Sequence, residues 1–457
     1  MAVQCSPVVE RAFYSTLAKL AVPLALQSLI SYGVGFADNF MIGSLGDKAL
    51  SGVFISNQVV WILQMLSGGI GAALVILVAQ YLGKGDTHRA KVVITIAIKI
   101  AFFSGLIFTA IALLFPRHIL GLFSKDKLVI DEGMKYFLVV AFSYALIAVN
   151  GILLAAMRCA HNTKVGFYSS LTGFIVSVSL NWVLIFGNLG FPALGVRGAA
   201  ISTIIARMLE FSVSFFYMRF KDRALLFRLS DLRLWDKLLF LDFFKYGTPV
   251  IIGSFTWGIA GVTQVVILGK LGTEVLAANT IAANLQMILG VVVYAVAGAS
   301  SVMIGRAVGS GNVDKVKAYA RVLQIIFLLV GVVSGTLIFV CKDLLLSLAF
   351  KNISPEAYGY AVQFLTVFSI TIVGTAYQMS VLTGIVRAGG AVSFVLINDL
   401  IWVWCVVVPS ALLSVYVFHF PPVVVFACLK CDQILKCTVA YVKLRRWNWM
   451  KKLTREG

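Results

Sequence analysis

The chain has 457 residues, of which 60% are hydrophobic and 12% charged, and it carries a formal net charge of +19. Soluble domains average about 25% charged residues, so a soluble globular fold is excluded and a polytopic helical membrane protein is expected. A charge of +19 also suits a nucleic-acid binder, but the basic residues fall at loop ends between apolar runs, which is membrane topology and excludes nucleic acid as a partner.

About twelve spans of roughly 20 or more residues are expected. They cover 15–42, 52–82, 93–115, 136–157, 166–187, 197–218, 246–270, 277–307, 320–341, 358–384, 393–416 and 421–443. The predicted fold is an all-α integral membrane protein whose helices form two six-helix pseudo-symmetric lobes. The division is 1–218 for the first lobe, 219–245 for a linker, 246–443 for the second lobe and 444–457 for a tail. Residues 1–12 are mixed and the first apolar run is too long for a cleavable signal.

Span 1 holds Pro23 and, near its far end, Asp38. A carboxylate is costly in lipid, so Asp38 is expected to face protein or water, as a proton or cation site or as a structural group tied down by donors. Lys99 in span 3 is expected to reach for the cytoplasmic interface. The outer loop 116–135 reads as an amphipathic connector. Asn150 lies in span 4, Ser177 and Asn181 share a face of span 5 at i,i+4, and Ser202 and Thr203 lie in span 6. Asp38, Asn181, Ser177 and Thr203 together offer a carboxylate, an amide oxygen and two hydroxyls. That set suits a proton or a hard cation such as Na+ at Asp38 and Asn181, although interhelical hydrogen bonding alone also accounts for such residues. Arg207 and Glu210, three apart in span 6, read as an ion pair near the cytoplasmic end, structural or gating.

The stretch 219–245 reads as an amphipathic helix on the membrane. Ser230 and Asp231 would cap it, and Leu234, Trp235, Leu238 and Leu241 form its apolar side. Asn150 and, in the second half, Gln264, Gln286, Tyr377 and Gln378 are candidates for a substrate path, and Trp257 for stacking on a ligand. Asp399 in span 11 is a cavity, gate or structural charge, and Asp432 and Lys436 in span 12 are expected to pair. Cys428 and Cys431 form a CxxC without a second pair, and the seven cysteines, Cys5 among them, read as packing thiols. Trp447 and Trp449 among the cations of the tail suit an interfacial anchor.

The two halves repeat at an offset of 226 residues. Pro23, Ser28, Gly35, Gly83, Gly85 and Lys91 match Pro249, Ser254, Gly261, Gly309, Gly311 and Lys317, while Asp38 matches Gln264. One offset held over about 70 residues implies a duplication, with the lobes related by an axis along the membrane normal. Placing both termini on one side gives that side about 25 basic residues against about 9, so both termini are expected in the cytoplasm of a cell-membrane protein. There is no nucleotide loop, no HExxH and no Ser/His/Asp set, so no catalytic residue or cofactor is expected and transport energy must come from an ion gradient.

MIGSLGDKAL with its echo ILGKLGTEVLAAN, QYLGKGD with RAVGSGN, LNWVLIFG, GVRGAAISTIIAR and VRAGG resemble the multidrug and toxic compound extrusion (MATE) transporters over nearly the full length. The resemblance implies six helices per lobe, a central cavity, alternating access, and antiport of organic, often cationic, compounds against Na+ or H+. It aligns Asp38 with the family's span-1 aspartate and Asn181 with a span-5 position that is Asp or Asn. Ser177 replaces an Asn, and Thr203 fits the span-6 hydroxyl only loosely. Trp257 and Thr375 stand where one branch has Glu and Asp, so coupling is expected to rest on the first lobe. The expected partners are small organic molecules and the bilayer, and the chain is expected to be a monomer. Rival readings are a flippase for lipids or lipid-linked oligosaccharides, and an isoprenoid transferase, which would need an acidic pair such as DDxxD that does not occur.

Overall fold

The computed structural model describes residues 7–349 and 354–455, which are helical nearly throughout and contain no strand. Among the described residues, eleven helices are long and apolar enough to cross a membrane. The first six are α1 (Pro7–Gly43), α2 (Asp47–Lys84), α3 (Thr87–Leu114), α4 (Lys127–Cys159), α5 (Lys164–Phe186) and α6 (Val196–Lys221). The next five are α7 (Lys237–Gly269), α8 (Thr273–Gly309), α9 (Val313–Ala349), α10 (Pro355–Val386) and α11 (Val392–Tyr416). The last expected span is broken at Cys431 into α12 (Pro422–Lys430) and α13 (Asp432–Arg445), neither long enough to cross alone. Lys430, Asp432 and Lys436 interrupt the apolar run there, and Asp432 starts α13, where the helix dipole favours an acid. Cys5 lies outside the described residues.

Apolar side chains face outward along these helices: Phe36 and Phe40 are each 78% exposed, and many Leu, Ile and Val are exposed with them. A soluble surface does not carry such continuous apolar area; hydrocarbon accommodates it. Between helices, small residues let backbones approach. A Cβ on Gly52 would strike the backbone of Gly133, so α2 and α4 meet where both lack side chains.

The chain divides into two compact units, of which the carboxy-terminal one also takes in two segments from the first half of the sequence. The amino-terminal unit is 22–78 with 87–247, and the carboxy-terminal unit is 1–21, 79–86 and 248–457. Thus α1 passes from one unit to the other beside Pro23 and α7 does so beside Pro249, the matched prolines of the repeat. A proline inside a helix removes a backbone hydrogen bond and loosens the rod at that point.

The structure corrects three local expectations. In the outer loop, Asp126 caps α4 by accepting from Leu128 N–H at 2.9 Å, so α4 starts nine residues ahead of position 136. In the 219–245 stretch, no helix starts at Ser230. Asp231 instead closes a short 3₁₀ turn by accepting from Arg228 N–H at 2.8 Å and pairs with Lys91 at 3.1 Å. Asp236 then caps the next helix, which runs without interruption into α7. Lys99 is also drawn in, donating to the Leu234 carbonyl at 3.3 Å and lying 5.3 Å above the Trp235 ring.

The third correction is the tail. Trp449 is fully buried in protein, not held at an interface. It sits where a Cβ on Gly389 would be, so the glycine of VRAGG makes its pocket. Lys451 N–H donates to Gly389 O at 2.7 Å, and Leu453 N–H donates to Gln80 Oε1 at 2.8 Å. The end of α2 and the tail are thereby tied into the carboxy-terminal unit.

Candidate functional site

In the amino-terminal unit, the i,i+4 pair Ser177 and Asn181 on α5 points at Asp38 on α1. Ser177 Oγ donates to Asp38 Oδ1 at 3.1 Å, and Asn181 Nδ2 donates to the same oxygen at 2.6 Å. Both donors are buried. Among the described residues, no donor reaches Oδ2. One carboxylate oxygen is therefore clamped and the other is open.

Ser202 on α6 donates to Asn181 Oδ1, which fixes the amide with its nitrogen toward Asp38. This corrects the predicted ligand set in two respects. The amide presents a donor, not an oxygen, to Asp38, and the α6 hydroxyl that joins the chain is Ser202. Thr203 instead donates to Ala199 O at 2.9 Å and meets the Tyr136 hydroxyl at 3.4 Å. Tyr136 on α4, which the sequence reading did not single out, is buried beside it and feels the charges of both Asp38 and Arg207.

Arg207 and Glu210 form the expected pair at 2.8 Å. The positive charge of Arg207 also bears on Asp38. Glu210 is buried, and Gly173 on α5 makes room for it, since a Cβ there would occupy the carboxylate's place. Arg207 and Glu210 also line a cavity of about 280 Å³ with Gln27, Gln64, Asn150 and Arg158. Asn150 Oδ1 and Ser67 Oγ, both on its wall, are buried without a hydrogen-bond partner among the described residues. Buried polar atoms left unpaired cost roughly 1–3 kcal/mol each, so water or a polar guest in the cavity can pair with this wall.

The carboxy-terminal unit has a separate network. Lys436 is almost fully buried and pairs with Asp399 at 3.0 Å and Asp432 at 3.1 Å. Gln433 extends the network, donating to Asp432 at 2.9 Å and accepting from Gln378 at 2.8 Å. Asp399 is thus part of an ion-paired triad. Tyr377 donates to Gln324 at 3.0 Å, and Gln264 accepts from Lys430 at 3.3 Å. Trp257, 65% exposed, and half-buried Gln286 join neither group. Among the described residues, no three or more His, Cys, Asp or Glu converge as a metal site, and Cys428 and Cys431 are free thiols.

A family model described as MatE matches the chain twice, over 23–183 and 249–413, beginning at the two prolines of the repeat. Among curated proteins, a probable multidrug resistance protein NorM from Thermotoga maritima is 26% identical over 450 residues, covering 96% of this chain and 94% of that one. A multidrug resistance protein NorM from Vibrio vulnificus is 26% identical over 325 residues, covering 69% of each. Among solved structures, a MOP superfamily transporter from Pyrococcus furiosus superposes with a TM-score of 0.85 at 17% identity, over 94% of this chain and 95% of that one. A MATE protein in a bent conformation gives 0.85 at 18% identity over 95% of each. At these identities the superpositions speak for the fold alone.

Proposed function

This chain belongs to the MatE family, and on that premise we propose that it is a secondary antiporter that exports organic, cationic or amphipathic compounds from the cytoplasm in exchange for protons. The relatives' names as multidrug resistance proteins support the export of diverse compounds. The excess of basic residues on the loops that share a side with the termini supports a cell-membrane protein with both termini inside.

The observation that carries the proposal is Asp38, clamped on one oxygen and open on the other. Three side-chain donors, Ser177, Asn181 and Ser202, are aligned in a chain that suits an ionised carboxylate. Na+ requires several oxygen ligands, whereas the amide nitrogen faces Asp38, so a proton is the favoured coupling ion and Na+ the second reading.

The coupling runs through Arg207. With Asp38 ionised, the guanidinium divides its field between Asp38 and Glu210. A proton arriving at Oδ2 weakens the two bonds on Oδ1 and leaves Glu210 as the sole counter-charge of Arg207. Glu210 then attracts a cationic compound in the cavity less strongly, and the compound leaves. A compound bound against Glu210 from the cytoplasmic side does the reverse and favours loss of the proton. Each ligand must lower the other's affinity by the same factor. The flippase reading predicts no such ion dependence.

The test is efflux of a fluorescent cationic dye from proteoliposomes under separately imposed pH and Na+ gradients. Export driven by the pH gradient alone is expected. Export driven by Na+ alone would move the coupling to the second reading, and export under neither would overturn the antiporter.

A further inference from the structure

The duplication places Gln264 of the carboxy-terminal unit at the position of Asp38. Its neighbour there is Lys430. The ammonium donates to Gln264 Oε1 at 3.3 Å and lies 5.6 Å from the centre of the Phe426 ring. Lys430 lies eight residues into α12, roughly 12 Å along the helix at 1.5 Å per residue, which is too deep for its side chain to snorkel back past Pro422.

Among the described residues, no carboxylate lies within ion-pair distance of Lys430. The nearest acid that acts on it is Asp432. That carboxylate is already engaged by Lys436 at 3.1 Å and by Gln433 at 2.9 Å. An intramembrane cation with an amide and a ring as its neighbours is expensive, and such residues mark functional sites. The two halves of the repeat are therefore opposite in polarity. One has a carboxylate served by hydroxyl and amide donors, and the other has an ammonium whose acceptor is an amide oxygen.

We infer that Lys430, held by Gln264, is a subsite for an anionic group, specifically a carboxylate carried by an exported organic compound. The inference rests on the exporter reading for the source of the ligand, but its chemistry is tested by binding alone. Lys430 supplies up to three N–H donors and Gln264 uses one of them, so a carboxylate can accept from the remainder. The protein would thus favour zwitterionic compounds over their esterified, purely cationic counterparts.

The experiment is equilibrium binding of two xanthene dyes, one with a free carboxylate and the other its methyl ester. The full chain is reconstituted in phosphatidylcholine nanodiscs. Wild type is expected to favour the carboxylate dye by about tenfold or more, the scale of a charge-assisted hydrogen bond. Lys430→Gln should collapse that ratio toward one, and Lys430→Arg should largely keep it. Gln264→Glu restores an acid at the Asp38-equivalent position, gives Lys430 an internal partner and should also collapse the ratio, so the result does not depend on one variant folding.

A wild type that does not distinguish the dyes, or a Lys430→Gln variant that still does, overturns the inference. So does loss of the preference when phosphatidylglycerol or millimolar chloride is added, because the site would then belong to lipid headgroups or inorganic anions. Carboxylate-selective binding without gradient-driven export would leave the subsite standing and refute the antiporter.

Discussion

Replacing Asp38 by Asn removes one charge and little else. The amide oxygen of the introduced side chain can accept from Ser177 and Asn181 as Oδ1 does, and its NH2 then takes the place of Oδ2, where no described donor stands. The two bonds lose their charge assistance, at about 1 kcal/mol each. Against a fold of ordinary stability, near 5–15 kcal/mol, the variant remains foldable. Its transport is another matter. One pH unit is worth about 1.4 kcal/mol per proton, so one-for-one exchange sustains about a tenfold concentration ratio of exported dye per pH unit. Asp38→Asn has no proton to exchange and should bring the ratio to one, while dye binding falls to the weaker, pH-independent level of the protonated wild type and the thermal unfolding midpoint stays near wild type. The assay is the steady-state dye ratio across proteoliposomes at one imposed pH unit. A ratio near ten in the variant would refute the assignment of coupling to Asp38.

Other perturbations read the same structure. Tyr136→Phe removes a long hydrogen bond to Thr203 and a polar contact with Asn57 and should cost about 1 kcal/mol in stability, yet shift the pH at which dye efflux is half-maximal; an unchanged pH profile would contradict a role for the phenol. Glu210→Gln breaks a buried pair, an event worth roughly 3–5 kcal/mol, and should weaken binding of cationic dyes more than neutral ones, as measured by fluorescence anisotropy. Trp449→Ala empties a fully buried pocket at a cost of about 3–5 kcal/mol and should lower the unfolding midpoint in detergent. A midpoint within a degree of wild type would return the tail to the membrane interface.

The helices and the repeat were legible because hydropathy and turn residues are local signals. Asp38, Ser177 and Asn181 were legible for a related reason: a lone acid in an apolar run stands out, and i,i+4 spacing fixes a shared face. Tyr136 was not, because a phenol in an apolar span looks like packing and its partner Thr203 lies 67 residues away. The choice of Ser202 over Thr203 depends on helix rotation by one residue, which no periodicity resolves. Arg207 and Glu210 revealed their pairing through spacing, while the field of Arg207 on Asp38 arises only from the packing of α6 against α1 and α5. Asp399 had its partner on another helix, 37 residues on. Trp449 misled because aromatic residues among cations have the same composition at a membrane surface and in a pocket roofed by a glycine loop. The Lys430–Gln264 contact needed both the repeat alignment and the coordinates.

The central claim is that proton and exported compound bind in opposition through Asp38, Arg207 and Glu210. The most direct measurement is the dissociation constant of a cationic dye for purified protein across pH, paired with the protons released on dye binding in weak buffer. The account predicts affinity that weakens as the pH falls, with close to one proton released per dye bound near the midpoint, and neither effect in Asp38→Asn. Affinity independent of pH, with no proton release in the wild type, would contradict it.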